Sequence, residues 1–228
     1  FSKGLEFNQA RLFERSLEER RGKWSSILTL KNSPSLNKYN FIINKNKLSL
    51  IRNNTEILTI DANETNEYDL ISNKILELED SFEKPLFLMK NKMLPFFDTT
   101  ISNKTNLTHS ISLLNIKSIE DFQNKTNQKI ELQIFRGNIY IDGIQAWEER
   151  NWIGQVIKIN NISFKVEKNI PRCVVINLKP NTDDDSLNLL QSLKKNYNHF
   201  DMGIYLTALD DGKINIGDTI SFSVLDKN

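Results

Sequence analysis

The chain has 228 residues, of which 30 are basic and 29 acidic, so its formal net charge is +1. This balance provides no overall field that would attract nucleic acid or an anionic membrane. The single cysteine excludes an internal disulfide, a Cys-cluster zinc site and a self-contained iron–sulfur site, and two histidines exclude a three-histidine metal centre. No apolar run approaches the roughly 18 residues that a membrane-spanning helix needs. Because Phe1–Glu6 is too short and too polar to be a signal peptide, we expect a soluble, cytoplasmic globular protein.

The first third of the chain is predicted to form short strands separated by polar turns. The predicted strands are apolar or alternating segments bounded by turn residues: Ile27–Leu30, Tyr39–Ile43, Lys47–Ile51, Glu56–Ile60 and Leu86–Met89. The apolar residues at 68, 71, 75 and 78 share one helical face, which predicts a helix over 68–78.

The second half of the chain is predicted to contain more strands and two further helices. The predicted strands are Ile111–Leu114, Asn138–Ile141, Gln155–Ile159, Ser163–Glu167, Cys173–Leu178, Ile204–Leu209 and Asp218–Val224. Ser118 is predicted to cap a short helix that ends near Asn124, and Ser186–Tyr197 has the pattern of an amphipathic helix. Many strands with only three helices favour an α+β fold around a barrel-like sheet over a doubly wound α/β sheet.

Cys173 is the first candidate for chemistry, because it follows Arg172 at the mouth of a predicted strand. An adjacent guanidinium favours the thiolate, which is the form that attacks or binds a soft metal. The alternatives are a small buried apolar side chain for Cys173 and a surface salt bridge for Arg172.

The segment Phe135-Arg136-Gly137-Asn138 is the second candidate. Arg136 offers a planar fork that suits phosphate, Gly137 lets the backbone approach a ligand, and Asn138 can both donate and accept. A turn that Asn138 stabilises would explain the same residues without a ligand.

Three other polar groups are interpreted structurally. Trp147–Trp152 is predicted to be a clamp in which the two tryptophans pack while the charges of Glu148 and Glu149 are solvated. His199 is predicted to be hydrogen-bonded or exposed, and Asp183–Asp185 to be a solvated helix N-terminus.

The order of these pieces is more specific than any one of them, and it resembles the MOSC family, which is named for the C-terminal domain of molybdenum-cofactor sulfurase. The resemblance covers about 108–222 and rests on the following residues in order: Phe135-Arg136-x-Asn138, Asp142-Gly143, Trp147-Glu148-Glu149, Trp152-Ile153-Gly154, Pro171-Arg172-Cys173, Pro180-x-Thr182, Gly203-Ile204-Tyr205 and Ile216-Gly217-Asp218. It implies a strand-rich MOSC domain at 108–228, preceded by a β-rich region at 1–107.

The resemblance also implies a cofactor and the residues that hold it. Family members bind a molybdopterin cofactor through a cysteine thiolate, and Cys173 falls on this metal-ligand and catalytic position. Cofactor contacts are implied for the following residues: Arg136, Asn138, Arg172, Thr108, His109 and Tyr205. The expected activity is an oxidoreductase that reduces N-hydroxylated or related N–O substrates. Its electrons would come from a separate redox protein, since the chain has no Gly-rich dinucleotide fingerprint.

Three segments of the chain depart from the family pattern. Gly137 replaces a usual Pro, Lys179 and Asp183 replace an Asp and a Gly, and 8–11 read Asn-Gln-Ala-Arg where Asp-Arg-Arg-aromatic is usual. Two other functions therefore stay open. One is a sulfur carrier that uses a Cys173 persulfide in metal-cluster or cofactor assembly, and the other is a non-catalytic cofactor carrier.

Overall fold

The computed structural model describes residues 5–8, 27–82, 84–90 and 110–222. These residues divide into two compact units. The first consists of the described residues up to Phe97 together with Asn177–Leu187, and the second of those from Asp98 to Ile176 together with those from Asn188 onwards. The predicted boundary between residues 107 and 108 lies outside the described residues and stays a prediction.

The first unit consists of two small antiparallel sheets and one helix. Its strands are β1 (Leu5–Asn8), β2 (Ile27–Leu28), β3 (Tyr39–Asn44), β4 (Lys47–Arg52), β5 (Thr55–Asp61) and β6 (Phe87–Lys90), paired in the orders β2-β1-β6 and β3-β4-β5. The predicted helix is confirmed as α1 (Tyr68–Leu78), which buries Ile71 and Ile75 completely. Asn53 and Asn54 both have positive φ, as a two-residue hairpin turn between twisted strands requires.

Ion pairs and hydrogen bonds hold the Asn177–Leu187 segment within the first unit. Lys38 Nζ lies 2.7 Å from an Asp183 carboxylate oxygen and 3.0 Å from Glu79, whose side chain is only 7% exposed. Asn37 Nδ2 donates to the main-chain carbonyls of Lys179 and Thr182. The prediction of a helix N-terminus at 183–185 is wrong, because the next helix begins at Leu189. Asp183 is 46% exposed, as the prediction of solvated carboxylates expected, although it also pairs with Lys38.

The second unit is built on one six-stranded sheet. Its strands are β7 (Ile111–Asn115), β8 (Ile139–Ile141), β9 (Val156–Ile159), β10 (Ile162–Pro171), β11 (Asp201–Ala208) and β12 (Ile220–Phe222), in the order β12-β9-β10-β11-β7-β8. Only the β7–β8 pairing is parallel in this sheet. One core gathers Leu113, Phe164, Val166, Ile204 and Leu206 from its central strands.

Two helices complete the second unit. Helix α2 (Ile116–Thr126) follows β7 directly, and α3 (Leu189–Tyr197) meets it through Phe122 and Tyr197, whose ring centroids are 6.0 Å apart. The predicted cap at Ser118 is wrong, because Asn115 Oδ1 accepts from the Lys117 main-chain N–H and so starts the helix earlier. Strand-rich sheets with three α-helices among the described residues confirm the predicted α+β class.

Glu149 is a fully buried carboxylate, which contradicts the prediction that the charges of this segment are solvated. It accepts from Ser118 Oγ at 2.8 and 3.0 Å and from Asn115 Nδ2 at 2.9 Å. Trp147 and Trp152 have different aromatic partners, Tyr197 and Phe222 respectively. The segment is therefore joined to the start of α2 by a buried polar network.

We expect Glu149→Gln to lower the free energy of unfolding by about 1–3 kcal/mol, since an amide N–H₂ would face donors that now meet a carboxylate. Urea unfolding monitored by circular dichroism measures this change. The matched control is Glu148→Gln, where the carboxylate accepts one exposed main-chain bond from Gln145, and a change within about 0.5 kcal/mol is expected. Equal effects of both variants would contradict the buried role of Glu149.

Within the described ranges, no helix has the length and apolar character that crossing a membrane demands.

Candidate functional site

Cys173 lies in a tight turn between β10 and a short 3-10 helix, Val174–Asn177. Its main-chain carbonyl accepts from the Ile176 N–H at 3.1 Å, and its side chain is partly exposed. The predicted strand over 173–178 is wrong. Pro171 ends β10, and the 3-10 turn buries Ile176 while it leaves Val174 exposed, so packing overrides the β-propensity of this apolar run.

Arg172 is fixed by main-chain carbonyls next to this thiol. Its Nε and Nη2 donate to the Met202 carbonyl at 2.9 and 2.5 Å, and Nη1 donates to the Phe135 carbonyl at 2.8 Å. Desolvation lowers the pKa of Arg172 to about 10, although Tyr205, Tyr140 and Cys173 act in the opposite direction. Arg172 therefore stays protonated at neutral pH.

Arg136 belongs to a turn that contacts the segment following the thiol. The residue has φ of 50° and ψ of 45°, and its Nη1 donates to the carbonyls of Ile134 and Val175 at 2.9 and 3.4 Å. Val175 lies in the 3-10 helix that follows Cys173, so this bond connects the two segments. Desolvation lowers the pKa of Arg136, and a negative charge on Cys173 would act against this shift.

Asn138 and Tyr205 approach the site from the sheet. Asn138 Oδ1 accepts from the main-chain N–H and the hydroxyl of Ser112 at 2.9 and 2.8 Å, so this oxygen joins the start of β8 to β7. Tyr205 lies opposite Ser112 in the β7–β11 register, and its phenolate form would interact electrostatically with Arg172.

The structure thus brings together four of the predicted site residues, Cys173, Arg172, Arg136 and Tyr205, and it places Asn138 at their border. Thr108 and His109 lie outside the described residues. The sequence analysis missed Tyr140, which interacts electrostatically with both arginines. Its spacing of two from Asn138 along a predicted strand places both side chains on one face, and this signal could have revealed it.

The chemistry of the site follows from two guanidinium groups around one thiol. Arg172 interacts with no carboxylate among the described residues, and in this part of the chain no group of three or more His, Cys, Asp or Glu side chains is arranged to hold a metal ion. A charge that is desolvated without an opposite partner favours binding of an anion. The site therefore places a thiol, which can act as a nucleophile or a metal ligand, near two guanidinium groups that can attract an anion.

Comparison with known families shows which family the chain belongs to. The profile of the MOSC domain matches residues 101–221, which is more than half of the chain, so the chain belongs to the MOSC domain family.

The individual relatives that match have low sequence identity to this chain. The chain is 26% identical over 122 residues to mitochondrial amidoxime reducing component 2 of Rattus norvegicus, a match that covers 48% of this chain and 36% of the relative. It is 25% identical over 143 residues to the protein of the same name from Bos taurus, with 57% of this chain and 42% of the relative covered. The match therefore spans less than half of either relative. The crystal structure of YiiM from Geobacillus stearothermophilus is a distant likeness, 13% identical with a TM-score of 0.40, covering 50% of this chain and 53% of that one.

His199 lies in an aromatic cluster of the same unit, as the prediction of a hydrogen-bonded histidine expected. Its Nδ1 accepts from the Asp201 N–H at 3.1 Å, and its ring stacks on Tyr197 with a centroid distance of 5.8 Å. Burial, with the positive charges of Arg150 and Lys194, lowers the pKa of His199.

This shift predicts a pH dependence of stability. The unfolded chain takes up a proton on this imidazole near pH 6.5 while the folded chain does not, so the free energy of unfolding falls as the pH decreases through and below 6.5. Urea unfolding at pH 7.5 and 5.5 measures the difference, and His199→Phe should reduce it. The parallel control is His109→Gln, which replaces the other histidine. If the stability difference between pH 7.5 and 5.5 is unchanged in His199→Phe, the pH dependence comes from a group other than His199.

Proposed function

We propose that this chain binds a molybdenum cofactor of the molybdopterin type at the Cys173 site and acts as an oxidoreductase on N-hydroxylated or related N–O substrates. The observation that carries this proposal is the position of Arg172, a desolvated cation without a carboxylate partner, beside the only thiol of the chain. Membership of the MOSC family supports the cofactor, and the names of the distant relatives support the reaction class.

The residues of the site fit such a group. A thiolate is a soft ligand that suits molybdenum, so Cys173 would hold the metal. Arg172 uses three of its five N–H groups on the Met202 and Phe135 carbonyls, which orients the guanidinium rigidly and leaves two for an anionic ligand. Arg136, which bonds to the Val175 carbonyl in the turn after Cys173, would add a second planar fork for phosphate oxygens.

This arrangement indicates which tasks the protein and the cofactor would each perform. The bound cofactor would supply two-electron redox chemistry. Arg172 and Arg136 would bind and orient its anionic part, while Asn138 would keep the Arg136 turn joined to the sheet through Ser112. We further propose that the electrons come from a separate redox protein, because the chain has no Gly-rich dinucleotide motif.

The decisive experiment is elemental analysis of protein purified from a host that makes molybdopterin, combined with pterin fluorescence after oxidation. We expect molybdenum and pterin in equal amounts, and neither from a host that lacks the pterin pathway. Protein from the second host should also melt at a lower temperature, since a ligand that binds only the folded state stabilises it by mass action. Turnover of an amidoxime with an artificial electron donor then distinguishes an enzyme from a cofactor carrier. Metal-free protein from both hosts, with an added sulfur on Cys173 in the mass spectrum, would replace this proposal with the sulfur carrier.

A further inference from the structure

We propose that Tyr140 is a positioning residue whose hydroxyl clasps both ends of the turn that presents Arg136 to the thiol. This inference rests on the proposed function for the identity of the ligand, but the geometry of the clasp does not depend on it. No motif of the sequence pointed to Tyr140.

The clasp consists of two hydrogen bonds to one oxygen. Tyr140 Oη donates to the Leu132 carbonyl at 3.0 Å and accepts from the Gly137 N–H at 3.0 Å. Leu132 begins the 3-10 turn Leu132–Phe135, and Gly137 follows directly after Arg136 at its end. The hydroxyl therefore bridges the two ends of the loop that carries Arg136.

Arg136 needs such a support because of its backbone conformation. Its φ of 50° lies in the left-handed region, which is unfavourable by about 1–2 kcal/mol for a residue with a Cβ. Such a conformation persists only when the surrounding structure determines it. Within the turn, the Arg136 N–H donates to the Gln133 carbonyl at 3.0 Å, and the Tyr140 clasp adds the connection to the following strand.

Gly137 and Tyr140 are closely packed as well as hydrogen-bonded to each other. A Cβ at position 137 would overlap the side chain of Leu114 and lie 3.1 Å from Tyr140 Cζ. A proline, which is the residue of the family pattern at this position, would have neither the N–H that Tyr140 accepts nor the room for its ring. The tyrosine hydroxyl thus replaces the rigidity that a proline would give to the turn.

The test uses a readout that does not require the cofactor. Cys173 is the only thiol, so the ratio of its alkylation rates by iodoacetate and iodoacetamide reports how strongly the site attracts an anion, independently of how nucleophilic the sulfur is. We expect the ratio to fall by about 3-fold or more in Arg136→Gln and by a smaller factor in Tyr140→Phe. In the double variant, Tyr140→Phe should add nothing to Arg136→Gln, because a positioning residue acts through the group that it positions.

The matched control is Tyr197→Phe, which removes a 2.7 Å hydrogen bond to Asp121 elsewhere in the same unit and should leave the ratio unchanged. If Tyr140→Phe does not fold, Gly137→Ala keeps the hydroxyl but displaces the ring, and it should lower the ratio in the same way. An unchanged ratio in Tyr140→Phe, or additive effects in the double variant, would overturn the proposal. Absence of pterin from the wild-type protein would refute the proposed function alone, because the alkylation ratio still decides the role of Tyr140.

Discussion

Replacing Cys173 by serine is expected to abolish bound molybdenum and turnover while the fold survives. The thiol is partly exposed, and the hydrogen bond that shapes its turn runs from the Ile176 N–H to the main-chain carbonyl of Cys173, which serine retains. Serine is nearly isosteric but is a hard and poorly ionised donor, so it fails both as a soft-metal ligand and as a persulfide carrier.

Three measurements on the Cys173→Ser variant separate these effects: molybdenum content, amidoxime turnover and urea unfolding. The free energy of unfolding of the cofactor-free protein should change by less than about 1 kcal/mol, because little apolar contact is removed. The control is Val174→Ala, a change at the neighbouring side chain, which is 53% exposed and should leave molybdenum bound. Wild-type turnover in the serine variant would exclude both the cofactor enzyme and the sulfur carrier.

Much of the local structure was predictable because periodicity reports which face of an element is buried. The helix over 68–78 follows from this rule, since Ile71 and Ile75 are fully buried on one face, and β3 alternates between exposed residues and buried or half-buried ones. In β4 the three consecutive residues Leu48, Ser49 and Leu50 are buried, so alternation alone does not describe that strand. The run 173–178 is also apolar, yet Val174–Asn177 forms a 3-10 helix. A strand would place Val174 and Ile176 on the same face, whereas Val174 is exposed and Ile176 is buried. Composition alone carries no information about such a turn.

The candidate site could also be predicted only in part from the sequence. Cys173, Arg172 and Arg136 were predicted as candidates because the chain has a single thiol and these residues stand in short motifs. The buried role of Glu149 was not predictable, because it depends on Ser118, a partner far along the chain. The spacing of Tyr140 from Asn138 was a usable signal, but its bond to the Leu132 carbonyl across a turn is visible only in the structure. A buried glutamate and a solvated glutamate are the same letter in a sequence, and only the hydrogen-bond donors around the carboxylate in the folded structure distinguish them.

Arg172 illustrates how the fold and the site depend on one another, and its replacement by lysine is expected to damage both. Three N–H groups in one plane bridge the carbonyls of Met202 and Phe135, and a lysine ammonium at the end of a flexible stem cannot reproduce this fork. Loss of these charge-assisted bonds should lower the free energy of unfolding by about 2–4 kcal/mol. The lysine keeps the positive charge. A loss of cofactor that is larger than the loss of stability explains is therefore due to the missing planar geometry of the guanidinium.

Urea unfolding and pterin content of the Arg172→Lys variant measure the two effects. Arg150→Lys is the matched control, because Arg150 makes a single 3.3 Å ion pair with Asp201 and both side chains are partly exposed. That control should cost about 1 kcal/mol or less and should leave the pterin content unchanged. If Arg172→Lys retains the pterin and unfolds like Arg150→Lys, the guanidinium of Arg172 supports neither the turn before Cys173 nor the ligand. A variant that loses the pterin but keeps its stability would assign Arg172 to the ligand alone, with the main-chain bonds of Met202 and Phe135 taken over by the ammonium or by water.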